Sequence, residues 1–317
     1  MTPSEARRLL ALCALRVDKH SVDWSLIARE ATRQGGLDRM WRGEFAEDSK
    51  VARESLSVLR QGLEADADHA YERVDRELEI AARAGATLVT VLDDDAYPAN
   101  LRLVPNLPPF LFLLGGPITL ADAYSVAVVG TRDASERGLD RASQMAIKLV
   151  EKGVTVVSGL AKGIDTAALT AAIASGGRTI GVIGTGITKS YPKENESLQR
   201  EVAEHGAVVS QFWPTAGPAT WTFPRRNVVM SGISQGTVVI EASSTSGAKM
   251  QARLALEHGK RVFLVSSLVT SQDWAKKYAE KRGAIIVERV DDVISHLAQP
   301  RRVHEVANSR QLTLDLV

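Results

Sequence analysis

The sequence predicts an α/β protein: a doubly wound, mostly parallel sheet preceded by a small helical domain. Three observations lead there. The first eighty or so residues repeat apolar side chains at helical spacing and hold no strand pattern. From residue 125 onward, short runs rich in Val and Ile recur, most of them ending in glycine. Helical segments of about a dozen residues separate those runs. Continuous apolar runs of this kind are strands buried on both faces, and helices between parallel strands are what cover those faces.

In chain order, 5–15 (EARRLLALCAL) and 54–85 (ESLSVLRQGLEADADHAYERVDRELEIAARAG) read as amphipathic helices, with Gly85 as the stop. This sets a helical domain at 1–85. Two apolar runs follow at 88–92 and 110–114, separated by proline-rich turns. The main strand runs are 125–132, 154–163, 178–187, 206–212, 236–247, 260–267 and 284–290. Helical segments at 140–153, 165–177, 194–206 and 248–260 lie between them, and a last one at 291–297 ends near Pro300. The α/β domain is therefore expected at 86–298 and a C-terminal tail at 299–317.

Composition excludes some classes of function. The chain has 317 residues, with 39 Lys and Arg against 38 Asp and Glu, a net charge of +1. That rules out a polycation that coats nucleic acid indiscriminately, but not a local basic surface. The charge is also unevenly spread. Residues 1–120 carry 15 basic against 19 acidic groups, and 121–317 carry 24 against 19. No apolar run reaches the length of a membrane helix, and the N-terminus lacks a signal-peptide pattern. The single Cys13 sits in an apolar helical pattern and is expected to be an inert core thiol. Together these point to a cytoplasmic protein with no membrane partner.

In a doubly wound sheet, ligands sit outside the carboxyl ends of the strands. Four predicted strand ends carry glycine among polar residues: Gly130-Thr131-Arg132, Ser158-Gly159 through Lys162-Gly163, Gly184-Thr185-Gly186, and Glu241 through Ser246-Gly247. Glycine allows close backbone approach, and a following helix N-terminus offers free N–H groups. Four such turns, with Arg132 and Lys162 on two of them, favour an anion site. Glu241 could hold a sugar or base edge, or a backbone amide of its own turn.

Known catalytic signatures are absent. Gly130 to Gly138 is not the dinucleotide fingerprint, and Thr188 stands where a phosphate-binding P-loop requires glycine. No nucleophile elbow occurs. His205 and His258 lie at predicted helix ends, where a cation suits the helix dipole, and no histidine pair has zinc spacing. Asp165 is expected to cap the helix after it, and Asp93-Asp94-Asp95 to form an exposed turn. No catalytic residue, metal site or cofactor is predicted.

The most unusual stretch runs from Gln211-Phe212-Trp213-Pro214 to Trp221-Thr222-Phe223-Pro224-Arg225-Arg226-Asn227. It reads as a long loop between two strands. Aromatic planes stack on unpaired bases while arginines hold phosphates, so Trp213 and Phe223 with Arg225, Arg226 and Asn227 suggest a single-stranded nucleic acid as the partner.

Taken in order, the motifs 88–116, VAVVGTR, VVSGLAKGIDTAA, IGVIGTGITKSYPKENESL, GAVVSQF, FPRRN, SGIS, VVIEASSTSGA and ALEHGKRVF resemble the DprA/Smf family of DNA-processing proteins. The match runs from about residue 86 to 265. The resemblance implies an extended Rossmann-like domain, single-stranded DNA binding, homodimerisation and transfer of the strand to a RecA-type recombinase. It implies that Arg132 and Lys162 line the DNA pocket, with Arg225, Arg226 and Asn227 on the same basic surface. Ser158, Gly159, Gly163, Gly184 and Gly186 would shape its floor. The chain departs from the family pattern at Leu169, where histidine is usual, at Val228, where arginine is usual, at Ser246-Gly247-Ala248-Lys249-Met250-Gln251-Ala252, and at Ser266-Ser267. An alternative expectation is a nucleotide- or DNA-sensing component of a phage-defence or toxin-linked system, with a toxin or effector as partner.

Overall fold

The computed structural model describes residues 2–299, so the expected tail lies, from residue 300 on, outside the described residues. Five helices come first: α1 (Pro3–Ala14), α2 (Trp24–Ala31), α3 (Gly36–Trp41), α4 (Lys50–Ala65) and α5 (Ala67–Arg83). Local chemistry starts them. Thr2 and Glu5 form a reciprocal capping box on α1, and the Asp23 carboxylate accepts from the Leu26 N–H at the head of α2.

The rest of the chain alternates. Strands β1 (Thr87–Thr90), β2 (Phe110–Gly115) and β3 (Ser125–Val129) lead to α6 (Glu136–Glu151). Then come β4 (Thr155–Ser158), α7 (Ile164–Ala174), β5 (Thr179–Val182), α8 (Glu196–Glu204) and β6 (Gly206–Ser210). The second half holds α9 (Thr222–Ile233), β7 (Gly236–Val239), α10 (Gly247–Glu257), β8 (Arg261–Val265), α11 (Ser266–Ser271), α12 (Asp273–Arg282), β9 (Ile285–Val287) and α13 (Val290–Ile294).

All nine strands join one sheet in the order β1-β2-β6-β5-β4-β3-β7-β8-β9. The seven from β6 to β9 are parallel, and β1 and β2 extend the sheet antiparallel beside β6. From β3 the chain winds outward through β4, β5 and β6, then returns to the other side of β3 for β7. The switch point of the winding is therefore the carboxyl end of β3 and β7. Strand period two splits the core: Val126 and Val128 of β3 join one apolar cluster with α6, while Ala127 and Val129 join the other. That second cluster is continuous with Leu9, Leu12, Met40 and Leu59 of the helical segment. Among the described residues no helix is long and apolar enough to cross a membrane.

Two expectations are corrected by packing. The stretch 222–227 is not loop but the first turns of α9, with Pro224 in the first turn where no helical N–H is lost. His258, expected to be a charged helix-end histidine, is instead held neutral. Burial, with Lys260 nearby, lowers its pKa from 6.5 to about 4, and its Nδ1 lies 3.0 Å from Ser231 Oγ. A depressed folded pKa gives stability that is present above pH 6.5 and lost as pH falls toward 4. Allowing for its partial exposure, about 2 kcal/mol should be lost across that window. Urea midpoints measured between pH 7 and 4 should fall less steeply in His258→Gln than in the parent.

Candidate functional site

A cavity of about 450 Å³ opens at the switch point. Its walls are the β3–α6 turn (Gly130 to Asp133), Ala161 and Asp165 after β4, the inner face of α9, and the first turns of α10. The turns interlock through the backbone. The Thr131 N–H donates to Glu241 O at 2.7 Å, and the Ile164 N–H donates to Thr131 O at 3.3 Å.

The glycines that sequence assigned to a ligand floor serve this interlocking. Gly163 has φ +75°, and a Cβ there would lie 2.4 Å from Thr131 O. Gly159 gives way to a side chain: a Cβ would lie 1.3 Å from Arg226 Nη1. Gly130, Gly184 and Gly186 likewise face protein atoms, namely Ile164, Phe223 and the Trp213 carbonyl. Gly247, at the start of α10, has open space before it.

Two charges are buried in the cavity wall. Asp165 does not cap α7. Its carboxylate turns back to accept the N–H groups of Gly159 (3.1 Å) and Ala161 (3.4 Å). Burial pushes its pKa above the usual carboxylate range, against the opposing pull of Arg226 and of backbone N–H groups. Burial lowers Arg226 in turn, against Asp165, while neighbouring Arg132 lowers it further. Arg226 donates to Val182 O at 3.3 Å, and its Nε is buried without a partner. These two groups organise the wall.

What remains available to a ligand lies nearer the mouth. Arg132 is exposed, has no ion pair among the described residues, and stands over the Phe223 ring, 5.9 Å from its centroid. Phe223 is half-buried and packs against Tyr191 at 5.6 Å. Asn227 lines the wall beside them, and Ser246 Oγ caps α10 by accepting the Ala248 N–H. A cation over an aromatic face, next to the positive end of a helix dipole with open space at Gly247, suits an anionic, planar ligand.

The structure separates other residues that sequence had grouped. Consecutive helical residues point about 100° apart. Arg226 therefore faces the cavity, while exposed Arg225 lies over Trp221 (5.7 Å) and lines a smaller crevice with Trp24 and Val228. Trp213 lies away from the cavity, at the seam with the helical segment, 5.9 Å from Trp24 and 4.9 Å from Phe110. Lys162 is exposed, pairs with Glu194 at 2.6 Å, and is not in the cavity wall. Ser158 is buried and donates to Val128 O at 2.7 Å, pinning β4 to β3. The Glu241 carboxylate accepts from the Ser135 N–H and Oγ, tying two turns together outside the cavity. Among the described residues no cluster of His, Cys, Asp and Glu could hold a metal ion.

Sequence reasoning missed Gln251. It lines the wall at 1% exposure, and both atoms of its amide lack partners. Its only signal was the departure from the family pattern at 246–252. Replacing Gln251 by Leu should raise the unfolding free energy by about 1–3 kcal/mol, because an unsatisfied buried amide is removed at similar volume. A lower melting temperature would show that the amide is hydrogen-bonded in solution.

The departures at other positions are accommodated by packing. Leu169 is fully buried in the core, and Ser267 Oγ accepts from Arg141 at the start of α11.

Comparison with known proteins places these features in a family. A model for DNA recombination-mediator protein A matches residues 88–298. DNA processing protein DprA of Bacillus subtilis is 31% identical over 250 residues, covering 78% of this chain and 83% of that protein. The Streptococcus pneumoniae DprA is 37% identical over 203 residues, 64% of this chain and 71% of the relative. The X-ray structure of the pneumococcal protein superposes with a TM-score of 0.72 at 28% identity, covering 94% of this chain and 99% of that one. The match therefore takes in the helical segment as well as the sheet. The conclusion is that this chain belongs to the DNA recombination-mediator protein A family, that of the DprA and Smf proteins.

Proposed function

We propose that the chain is a non-catalytic DNA-processing protein that binds single-stranded DNA in the switch-point cavity. The observation that carries this is the uncommitted Arg132 guanidinium over the Phe223 ring, at the mouth of a ligand-sized cavity and beside the α10 N-terminus. The aromatic face would stack on a base, and Arg132, helped by the positive end of the α10 dipole, would take phosphate charge. Only an unpaired strand offers free base faces, which makes it the favoured substrate over duplex. A binding rather than a catalytic role is supported by the state of the buried carboxylate in the wall: Asp165 is already committed to the backbone N–H groups of Gly159 and Ala161. Relatives support the reading by name, as DNA processing proteins.

In this reading residues 86–298 form the strand-binding domain and 1–85 a helical domain that braces it. Homodimerisation and transfer of the strand to a RecA-type recombinase belong to the same proposal. The direct experiment is a titration of labelled oligonucleotides at low salt. Saturable binding to a strand, much weaker for the matching duplex, supports it. Equal or undetectable binding of both refutes it.

A further inference from the structure

A second cavity, of about 240 Å³, lies at the seam between the helical segment and the sheet. Its wall includes Trp213, Ile80 and the three arginines Arg16, Arg73 and Arg76, together with Glu77. Two of these charges are already used. Arg73 pairs with Asp66 and donates to Ala14 O at 2.8 Å. Glu77 accepts from the Thr215 N–H and hydroxyl. Arg16 and Arg76 are exposed, and neither guanidinium has a partner among the described residues. The cavity thus offers an aromatic and aliphatic floor with two uncompensated cations at its edge, a pairing that fits one base and its phosphates.

Position identifies the ligand further. One segment walls both cavities: Trp213 belongs to this one and Thr220 to the switch-point cavity. Seven residues of extended chain reach at most roughly 25 Å, so the two sites lie within a few nucleotides of each other.

We infer that the seam cavity is a second nucleotide subsite, in which Arg16 and Arg76 take phosphates further along the strand held at Arg132. This rests on the proposed strand binding and adds the helical segment to the binding surface. The ligand is a phosphodiester-linked nucleotide, reached only by a strand long enough to span both sites.

The test is a double variant, Arg16→Ala with Arg76→Ala, compared with the parent on two oligothymidines of about 2 and about 20 nucleotides, the shorter of which cannot bridge the two cavities. Each phosphate contact on a single strand contributes about 0.7 to the slope of log affinity against log salt. The variant should lose about 1.4 from that slope with the long strand and nothing with the short one. Both side chains are exposed, so its melting temperature should match the parent's. An unchanged slope with the long strand, or an equal loss with both lengths, overturns the inference. A parent that binds neither strand instead overturns the proposed function on which it rests.

Discussion

Replacing Asp165 by Ala is expected to lower the unfolding free energy by about 3–5 kcal/mol, the cost of removing one side of a buried charge arrangement. The fold loses more than an attraction. The Gly159 and Ala161 N–H groups lose their acceptor, and buried Arg226 keeps the Val182 carbonyl but loses its nearby negative charge. Asp165→Asn keeps an acceptor oxygen and should cost less, about 1–3 kcal/mol. Urea midpoints at constant m-value measure both. The pH dependence has a definite sign. Burial raises the folded pKa of Asp165, so its contribution is greatest below the ordinary carboxylate value. That contribution declines as pH rises through the folded value. The stability gap between the parent and Asp165→Asn should therefore narrow with rising pH in that window. An ordinary ion-paired carboxylate would widen it. A loss below about 1 kcal/mol for Asp165→Ala would mean that the wall does not depend on this group.

Phe223→Ala should weaken single-strand binding by about 1–3 kcal/mol, the range found when a base-stacking aromatic is truncated. That is roughly a five- to 150-fold rise in Kd. Phe223→Trp keeps a stacking plane and should retain most of the affinity. Lys162→Ala makes a useful contrast. Lys162 is exposed, paired with Glu194 and absent from the cavity wall, so its removal should change stability by no more than about 1 kcal/mol. If Lys162→Ala weakened binding more than Phe223→Ala, the strand would run over the β4–α7 turn rather than through the cavity.

The sheet was legible because its strands are continuous Val and Ile runs, and period two then assigned Val126 and Val128 to one face and Ala127 and Val129 to the other. The switch point was not legible, because strand order is set by long-range pairing and not by the order of elements along the chain. The site was legible only in part, since residue type names a chemistry while its direction comes from the element carrying it. Arg225 and Arg226 look equivalent in a loop, but α9 sends one to each side. Trp213 and Phe223 look like one aromatic patch, yet Trp213 belongs to the seam with Trp24, a contact between distant parts of the chain that no local pattern announces. The glycine turns were read as a phosphate floor, whereas Gly163 and Gly186 make room for neighbouring turns and Gly130, Gly159 and Gly184 for the side chains of Ile164, Arg226 and Phe223. His258 was read from its place at a helix end, and burial outweighed the dipole.

The most direct test of single-strand binding at the switch point is the affinity of the parent and of Arg132→Ala for one single-stranded oligonucleotide across a range of salt. Arg132 is exposed and unpaired, so the substitution should leave the fold intact. The parent should bind the strand with an affinity that falls steeply as salt rises. Arg132→Ala should bind more weakly at every salt concentration, with a slope smaller by about 0.7, the share of one phosphate contact. Parent and variant lines that superimpose would contradict a strand held in this cavity.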